Sequence, residues 1–517
     1  MSKTMCRGFA FLVAILLIHF TGTAQKAVKR PNIIVFLVDD MGWQDTSVPF
    51  WTKTTELNKR YHTPNMQRLA KEGMKFTNAY ATPVCTPSRV SLITGVNAAH
   101  HRVTHWTSPN RNTNTDHPDT TLHSVQWNIN GFSPVAGVER TFYATPLPSV
   151  LSNHGYYTVL SGKAHFGSAG TPGAVPENVG FRVNIAGSEI GHPASYLGEK
   201  NYDQPVKGKP SRNAVKGLEK YHGTRTFLTD AITTEALKAL EKPIADNQPF
   251  FLYLAHYAIH TPLNSDQRFV GKYLKMGLDT TEAKYAALVE GMDKSLGDVL
   301  NFLDQQKVAD NTVIVFMSDN GGLSTAPLRG GQAYTHNLPL KAGKGSVYEG
   351  GIREPMLVRW PGVVKPNTVA EQYVIIEDFF PSVLEMAGIK NPVLVQRPDG
   401  KSFVPLLKNP SLKDPARELI WHHPNRWITE EGPHIHWASA FRKGNWKLIY
   451  DYRNGKLELY NLKMDIGETS DIASQNPVRV KELAALFTKQ LRKYDVQWPV
   501  FKSTGKPVPW PDEVLQK

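Results

Sequence analysis

Four stretches of the chain stay apolar for about six or seven residues and then break into ionisable or amide side chains. Residues 32–38 run into Asp39 and Asp40, 156–161 into Lys163 and His165, 250–255 into His256 and His260, and 312–317 into Asp319 and Asn320. Runs without polar alternation predict strands buried on both faces, as in a parallel sheet. Helical spacing lies between them. Thr63 as cap, Pro64 at the first turn and Gly73 as stop frame one helix; 88–94 closed by Gly95, 148–153, 226–242 and 280–306 give four more. A short strand at 74–80 leads to Cys85, which falls at or just before a helix N-terminus, an end that favours anions. Strands alternating with helices predict an α/β fold whose ligands bind beyond the carboxyl ends of the strands, where residues far apart in sequence meet.

Two polar stretches, 97–140 and 167–220, are too long for ordinary connections, and the first is expected to line a cleft rim. Beyond Asp399-Gly400 the pattern changes to short strands at 419–422, 436–441, 446–450 and 457–462, followed by an amphipathic helix at 478–494. This predicts a smaller C-terminal α+β unit built on an antiparallel sheet. The expected division is a signal peptide over 1–24, a catalytic domain over 25–409 and the C-terminal unit over 410–517.

The N-terminus supports the first boundary. Lys3 and Arg7 precede an apolar run, and small residues follow up to Ala24, the order of a secretory signal peptide; the run is short of the roughly 20 residues that span a bilayer. Export to the periplasm or outside the cell is therefore expected, with no stable membrane insertion. Of two cysteines, Cys6 lies in that segment, so a disulfide framework is excluded and Cys85 stands alone. With 517 residues, 41% hydrophobic and 20% charged, the chain is an ordinary globular protein. A formal charge of +13 favours anionic ligands. No clustered basic helix face or zinc-finger spacing points to nucleic acid, and an anionic small molecule or polysaccharide fits better.

Asp39, Asp40, Asp319 and Asn320 offer only oxygen, which suits calcium or magnesium and suits zinc poorly. Taken separately, each acidic pair serves equally well as a helix cap or turn. Lys163, His165, His260 and Lys344 could hold a tetrahedral oxyanion beside such a cation. A cysteine thiolate, being soft, does not match that cation.

The mismatch resolves in a resemblance. Cys85-Thr86-Pro87-Ser88-Arg89, followed by Leu92, Thr94 and Gly95, resembles the signature of the formylglycine-dependent sulfatases of the alkaline phosphatase superfamily. The second signature is met at Gly155, Tyr156, Thr158, Gly162, Lys163 and His165, with Ala164 in place of the usual aromatic residue. The resemblance implies an alkaline phosphatase-like fold, with a large, mixed, mostly parallel sheet flanked by helices. It implies that a maturation enzyme oxidises Cys85 to Cα-formylglycine. It also implies one calcium ion, or magnesium in its place, bound by Asp39, Asp40, Asp319, Asn320 and the modified Cys85. Arg89, Lys163, His165, His260 and Lys344 would complete the catalytic set, and Lys341 stands where the family commonly has an arginine.

For the substrate, export and positive charge suit a sulfated glycan, and the run 95–106 resembles bacterial polysaccharide sulfatases, some of which act on sulfated galactose. Trp106, Asn110, Arg111, His117 and Trp127 on the rim, and His422, His423, Asn425, Arg426 and Trp427 in the second unit, are residue types that bind sugar rings. Two alternatives remain at this stage: a phosphodiester or phosphonate monoester hydrolase of the same superfamily, and a non-catalytic glycan-binding protein.

Overall fold

The computed structural model describes residues 30–325 and 336–516; the expected signal segment 1–24, with Cys6, lies outside the described residues. Nine strands form the main sheet: β1 Asn32–Val38, β2 Met74–Tyr80, β3 Tyr157–Gly162, β4 Val183–Ile185, β5 Phe250–Ala255, β6 Thr312–Ser318, β7 Arg353–Arg359, β8 Thr368–Ala370 and β9 Val374–Ile375. Their order is β8-β2-β7-β6-β1-β5-β3-β4, with β9 also paired to β2. All pairings are parallel except the two made by β7. The sheet is thus mixed and mostly parallel, as expected.

The continuous apolar runs are explained by their two neighbours. Along β1, Ile33, Val35 and Leu37 face one hydrophobic cluster and Ile34, Phe36 and Val38 the other, all without solvent exposure. Helices cover both sides. α1 Pro64–Glu72, α4 Leu228–Ala245 and α5 Thr280–Gln305 pack on the second cluster, and α2 Cys85–Thr94, α3 Leu147–Asn153 and α6 Phe379–Met386 on the first. Helix α2 begins at Cys85 itself, earlier than the spacing suggests, and ends at Gly95 in the left-handed region (φ 72°). At α1, Thr63 is the expected cap residue but does not cap through its side chain, because its Oγ1 accepts from Ser47 N instead. Asp293 of α5 does the work across space, accepting from Asn65 N and Met66 N at 3.0 and 2.8 Å.

Strand β7 was not anticipated by the hydrophobic pattern. Pro355 shifts its register against β2, and its first residues are charged yet buried. The C-terminal strands β10 Glu418–Arg426, β11 His436–Lys443, β12 Trp446–Asp451 and β13 Lys456–Asn461 form an antiparallel sheet in sequence order. Helix α7 Pro477–Lys493 packs Leu483, Phe487 and Leu491 on one face of it, while Leu419, Trp421, Ala440 and Ile449 on the other join the main core. Trp421 Nε1 donates to Ala81 O at 2.8 Å, joining this sheet to the backbone that leads to Cys85.

Candidate active site

The expected catalytic residues converge at the carboxyl ends of β1, β3, β5 and β6. Gly162 closes β3 at φ 97°, where a Cβ would lie 2.0 Å from Ala255 O, so only glycine lets the chain turn there and present Lys163. Lys163 Nζ is 2.7 Å from Asp39 Oδ2 and Lys344 Nζ is 2.6 Å from Asp40 Oδ1. Arg89 reaches Asp319 Oδ2 through Nε and Nη2, each at 2.8 Å, and donates from Nη1 to Lys163 O at 2.7 Å. One buried guanidinium therefore ties α2 to the ends of β3 and β6.

Cys85 Sγ lies 3.5 Å from His165 Nδ1, and His165 Nε2 is 2.9 Å from Thr107 O. A carbonyl can only accept, so the proton sits on Nε2 and Nδ1 faces the cysteine as the basic nitrogen. Burial, reinforced by Lys163, holds His165 well below the ordinary histidine range and hence neutral. By the same reasoning His260 Nδ1 donates to Thr261 O at 2.9 Å, leaving Nε2 toward Asp40 Oδ2 at 3.6 Å. Burial, then Lys344, also depress His260. Burial and then Asp319 raise Asp39; for Asp40 burial is outweighed by Lys344 and His260, which keep it ionised.

Three buried oxygens here have no hydrogen-bond partner among the described residues: Asp39 Oδ1, Asp40 Oδ2 and Asn320 Oδ1. Asn320 Nδ2 donates to Asp40 Oδ1 and Gly321 O at 2.8 and 3.0 Å, both obligate acceptors here, which fixes the amide and leaves its oxygen free. Buried polar oxygens of this kind need a partner, and an oxygen-only set fits a hard cation. The donor atoms of Asp39, Asp40 and His260 all lie within 4.8 Å of one another, close enough for one ion. Asp319 differs from its neighbours in that both oxygens are engaged, Oδ2 by Arg89 and Oδ1 as acceptor from Asp40 N at 3.4 Å.

Above this floor opens a cavity of about 560 Å³ reaching Cys85, His165, His260 and Lys344. Of the suggested sugar-binding residues, Trp106, Asn110, His117 and Trp427 line it. Arg111, Trp127, His422, His423, Asn425 and Arg426 do not. His423 and Asn425 are buried against Thr104, and Arg426 clamps Pro118 O, Thr429 O and Glu431, so these side chains knit β10 to the rim. Trp127 donates to Asn114, Arg111 to Gly170 O, and His422 stacks on Trp498. Lys341 points away, to Glu468 O and the Tyr348 ring. Sequence reasoning missed His192, Arg212 and Asn213, which enter the wall from the 167–220 excursion. Nothing periodic marks them in the sequence.

Comparison with known proteins shows the family. The Sulfatase family model matches residues 31–389, and the model for the N-sulphoglucosamine sulphohydrolase C-terminal region matches 343–497. A sulfatase of Formosa agariphila is 30% identical, over 97% of this chain and 96% of its own length. The N-acetylgalactosamine-6-sulfatase of Homo sapiens is 33% identical, over 76% of this chain and 68% of its own length. The crystal structure of Ps i-CgsB in complex with k-i-k-neocarrahexaose aligns with a TM-score of 0.67 at 27% identity, covering 89% of this chain and 93% of that one. The chain therefore belongs to the sulfatase family, the sulfuric ester hydrolases of the alkaline phosphatase superfamily.

Proposed function

We propose that the protein removes sulfate from a sulfated carbohydrate, with Cys85 acting after oxidation to Cα-formylglycine and one calcium or magnesium ion held by Asp39, Asp40, Asp319 and Asn320. The observation that carries this reading is the pairing of Cys85 Sγ with His165 Nδ1 at 3.5 Å, on a floor where two lysines and three unpartnered oxygens also meet. The sugar class is supported by the human relative, an N-acetylgalactosamine-6-sulfatase, by the relative solved with k-i-k-neocarrahexaose, and by Trp106 and Trp427 on the wall.

When bound, the cation would supply Lewis acidity to an oxygen nucleophile, which is what a formylglycine hydrate provides and a thiol does not. The chain's own residues account for the rest. Lys163 and Lys344 would stabilise the sulfate oxygens, while Arg89 keeps Asp319 oriented. His260 Nε2 faces the cavity 3.6 Å from Asp40 Oδ2 and is bare in the neutral ring, so His260 would first have to take up a proton at Nε2, beside that carboxylate, in order to protonate the leaving alcohol oxygen. His165 Nδ1, neutral and unprotonated, is the base for the proton released when sulfate is expelled. The signature around Cys85 implies a formylglycine-generating enzyme as a partner. The N-terminal pattern implies export, and among the described residues no helix is long and apolar enough to cross a membrane.

The test is desulfation of defined sulfated mono- and oligosaccharides by protein co-expressed with a maturation enzyme, with intact mass reporting conversion of Cys85. Faster cleavage of an aryl phosphate diester, with no sulfate released from any sugar, would replace this reading with the phosphoester one. Cys85→Ser should fold normally and lose turnover; full activity in that variant would overturn the mechanism.

A further inference from the structure

Three groups on the cavity wall, His192, Arg212 and Asn213, have no part in the chemistry above. They belong to one built loop. Ala194 N donates to Asn213 O at 2.7 Å and Ser211 N to Asp203 Oδ1 at 2.9 Å, closing the loop at two points. Val206 and Lys209 exchange backbone hydrogen bonds of 2.9 and 3.1 Å around Gly208 (φ 74°), so Lys207 sits at the tip of a tight turn. Asn213 Nδ2 donates to His192 Nε2 at 3.0 Å, and His192 Nδ1 donates to Pro193 O at 3.1 Å. With both nitrogens used, the His192 ring lies flat on His260, at 5.4 Å between centroids and 5° between planes. The loop is therefore registered against the residue assigned to the leaving oxygen.

A second cavity, also of about 560 Å³, adjoins the first through His192, Asn213 and Thr261, and Lys207 forms part of its wall. Each space is of the size that accommodates a small organic ligand. Arg212 and Lys207 are exposed, and neither has a hydrogen bond or ion pair from its side chain to another described residue. Apart from Asp40, the carboxylate among the described residues lining these walls is Glu430, whose Oε2 accepts from Thr429. Two unneutralised cations beside a cleft that leads away from the leaving-group histidine suit an anion on the far part of the substrate.

We propose that the double cleft is a track for a multiply anionic oligosaccharide. The sugar attached to the leaving oxygen runs from His260 past His192 and Asn213, and a second sulfate or carboxylate on that chain is held by Arg212 and Lys207. This rests on the sulfatase reading of the first cavity and adds a substrate class: a polymer charged on successive sugars in place of a lone sulfated monosaccharide.

The experiment compares two galactose-based tetrasaccharides, one with a single sulfate and one with a second sulfate on the sugar at the leaving side. Matured wild-type protein and the Lys207→Ala/Arg212→Ala double variant are assayed for sulfate release from the shared position. The wild type should favour the doubly sulfated sugar by roughly tenfold in kcat/KM, the scale of two partly exposed charge contacts. That preference should shrink with salt and fall to about one in the variant. An equal ratio in both proteins, or no preference in the wild type, overturns the track. If matured wild type releases no sulfate from either sugar, calorimetric binding of the same two sugars to both proteins decides the track, and equal affinities would refute it; the sulfatase reading is judged separately, on the wider panel of sulfated sugars and the aryl phosphate diester.

Discussion

Lys447 on β12 is fully buried and bridges two buried carboxylates, Glu349 Oε1 at 2.9 Å and Glu468 Oε1 at 2.8 Å. It matters to the site because Glu349 and Lys344 share one loop, and Glu349 N donates to Glu468 Oε2 at 2.6 Å. Replacing Lys447 by methionine keeps the volume and removes the charge. Stripping one partner from a buried ion pair costs about 3–5 kcal/mol. The lower end applies here for two reasons. Glu349 keeps Tyr80 Oη at 2.7 Å and Arg353 Nη1 at 3.1 Å, and Glu468 can take up a proton, since burial and Glu349 already raise it to about 7 against the pull of Lys447. With an unfolding entropy of about 2.1 cal/mol/K per residue over ~500 residues, a loss of ~3 kcal/mol lowers Tm by about 3 °C. Differential scanning fluorimetry of Lys447→Met at neutral pH measures it. The double variant Lys447→Met/Glu468→Gln should regain part of the loss, because one buried charge goes with its partner. A Tm within about 1 °C of wild type, or a double variant less stable than Lys447→Met, would refute the reasoning.

Three further outcomes follow from other features. Gly345 has φ 85° and a Cβ there would lie 2.1 Å from the Trp427 ring, so Gly345→Ala should cost about 1–2 kcal/mol in backbone strain, displace a cavity wall residue and raise KM for sulfated sugars; an unchanged KM contradicts it. Burial, then Asp378, raise Glu377 to about 8, above its ordinary 4.5, so the folded protein binds this proton more tightly than the unfolded chain. Its stabilising contribution is full below about pH 4.5 and is lost as pH rises through about 8, by up to about 1.4 kcal/mol per unit, so the Tm of Glu377→Gln relative to wild type should rise over that window; a flat difference refutes the buried proton. Chelation should lower Tm, and calcium should restore it better than zinc, given the three unpartnered oxygens; no response of Tm to chelator or calcium would count against a cation site.

The elements that were legible in the sequence are those whose environment is uniform. β1 and β6 are apolar at every central position because both faces are covered, and their ends are polar because the sheet stops there. The residues that meet on the cavity floor were legible for a different reason: short spacings, as between Cys85 and Arg89 or Lys163 and His165, survive without knowledge of the fold. Strand β7 was illegible because Arg353 and Glu354, which look solvent-facing, are buried. Arg353 pairs with Glu349 and covers the Trp43 ring, while burial and the neighbouring carboxylates push the Glu354 pKa well up, toward the neutral acid. His423, Asn425 and Arg426 misled in the opposite direction. They have the composition of a sugar site, but β10 turns them into the seam with the rim, where Asp116 Oδ1 accepts from Arg426 N. The loop carrying His192, Arg212 and Asn213 approaches the cavity only through tertiary hydrogen bonds, which no local pattern encodes.

The hydrogen bond from Trp421 to Ala81 has a consequence in time. All ten residues of α2 are buried, including Cys85 and Arg89, so a catalyst that reads this motif as an extended segment cannot reach it in the finished protein. Trp421, which ties the C-terminal sheet to the backbone leading into it, lies 340 residues beyond Ala81 in the chain. At synthesis rates of about 5–20 residues per second, that separation corresponds to some tens of seconds. The proposed oxidation of Cys85 would therefore compete with the completion of folding, and under that proposal the yield of active protein should depend on how quickly the C-terminal sheet docks as well as on the supply of a maturing enzyme. Slowing that docking, by cooling or by weakening the Trp421 contact, lengthens the interval in which the cysteine can be converted.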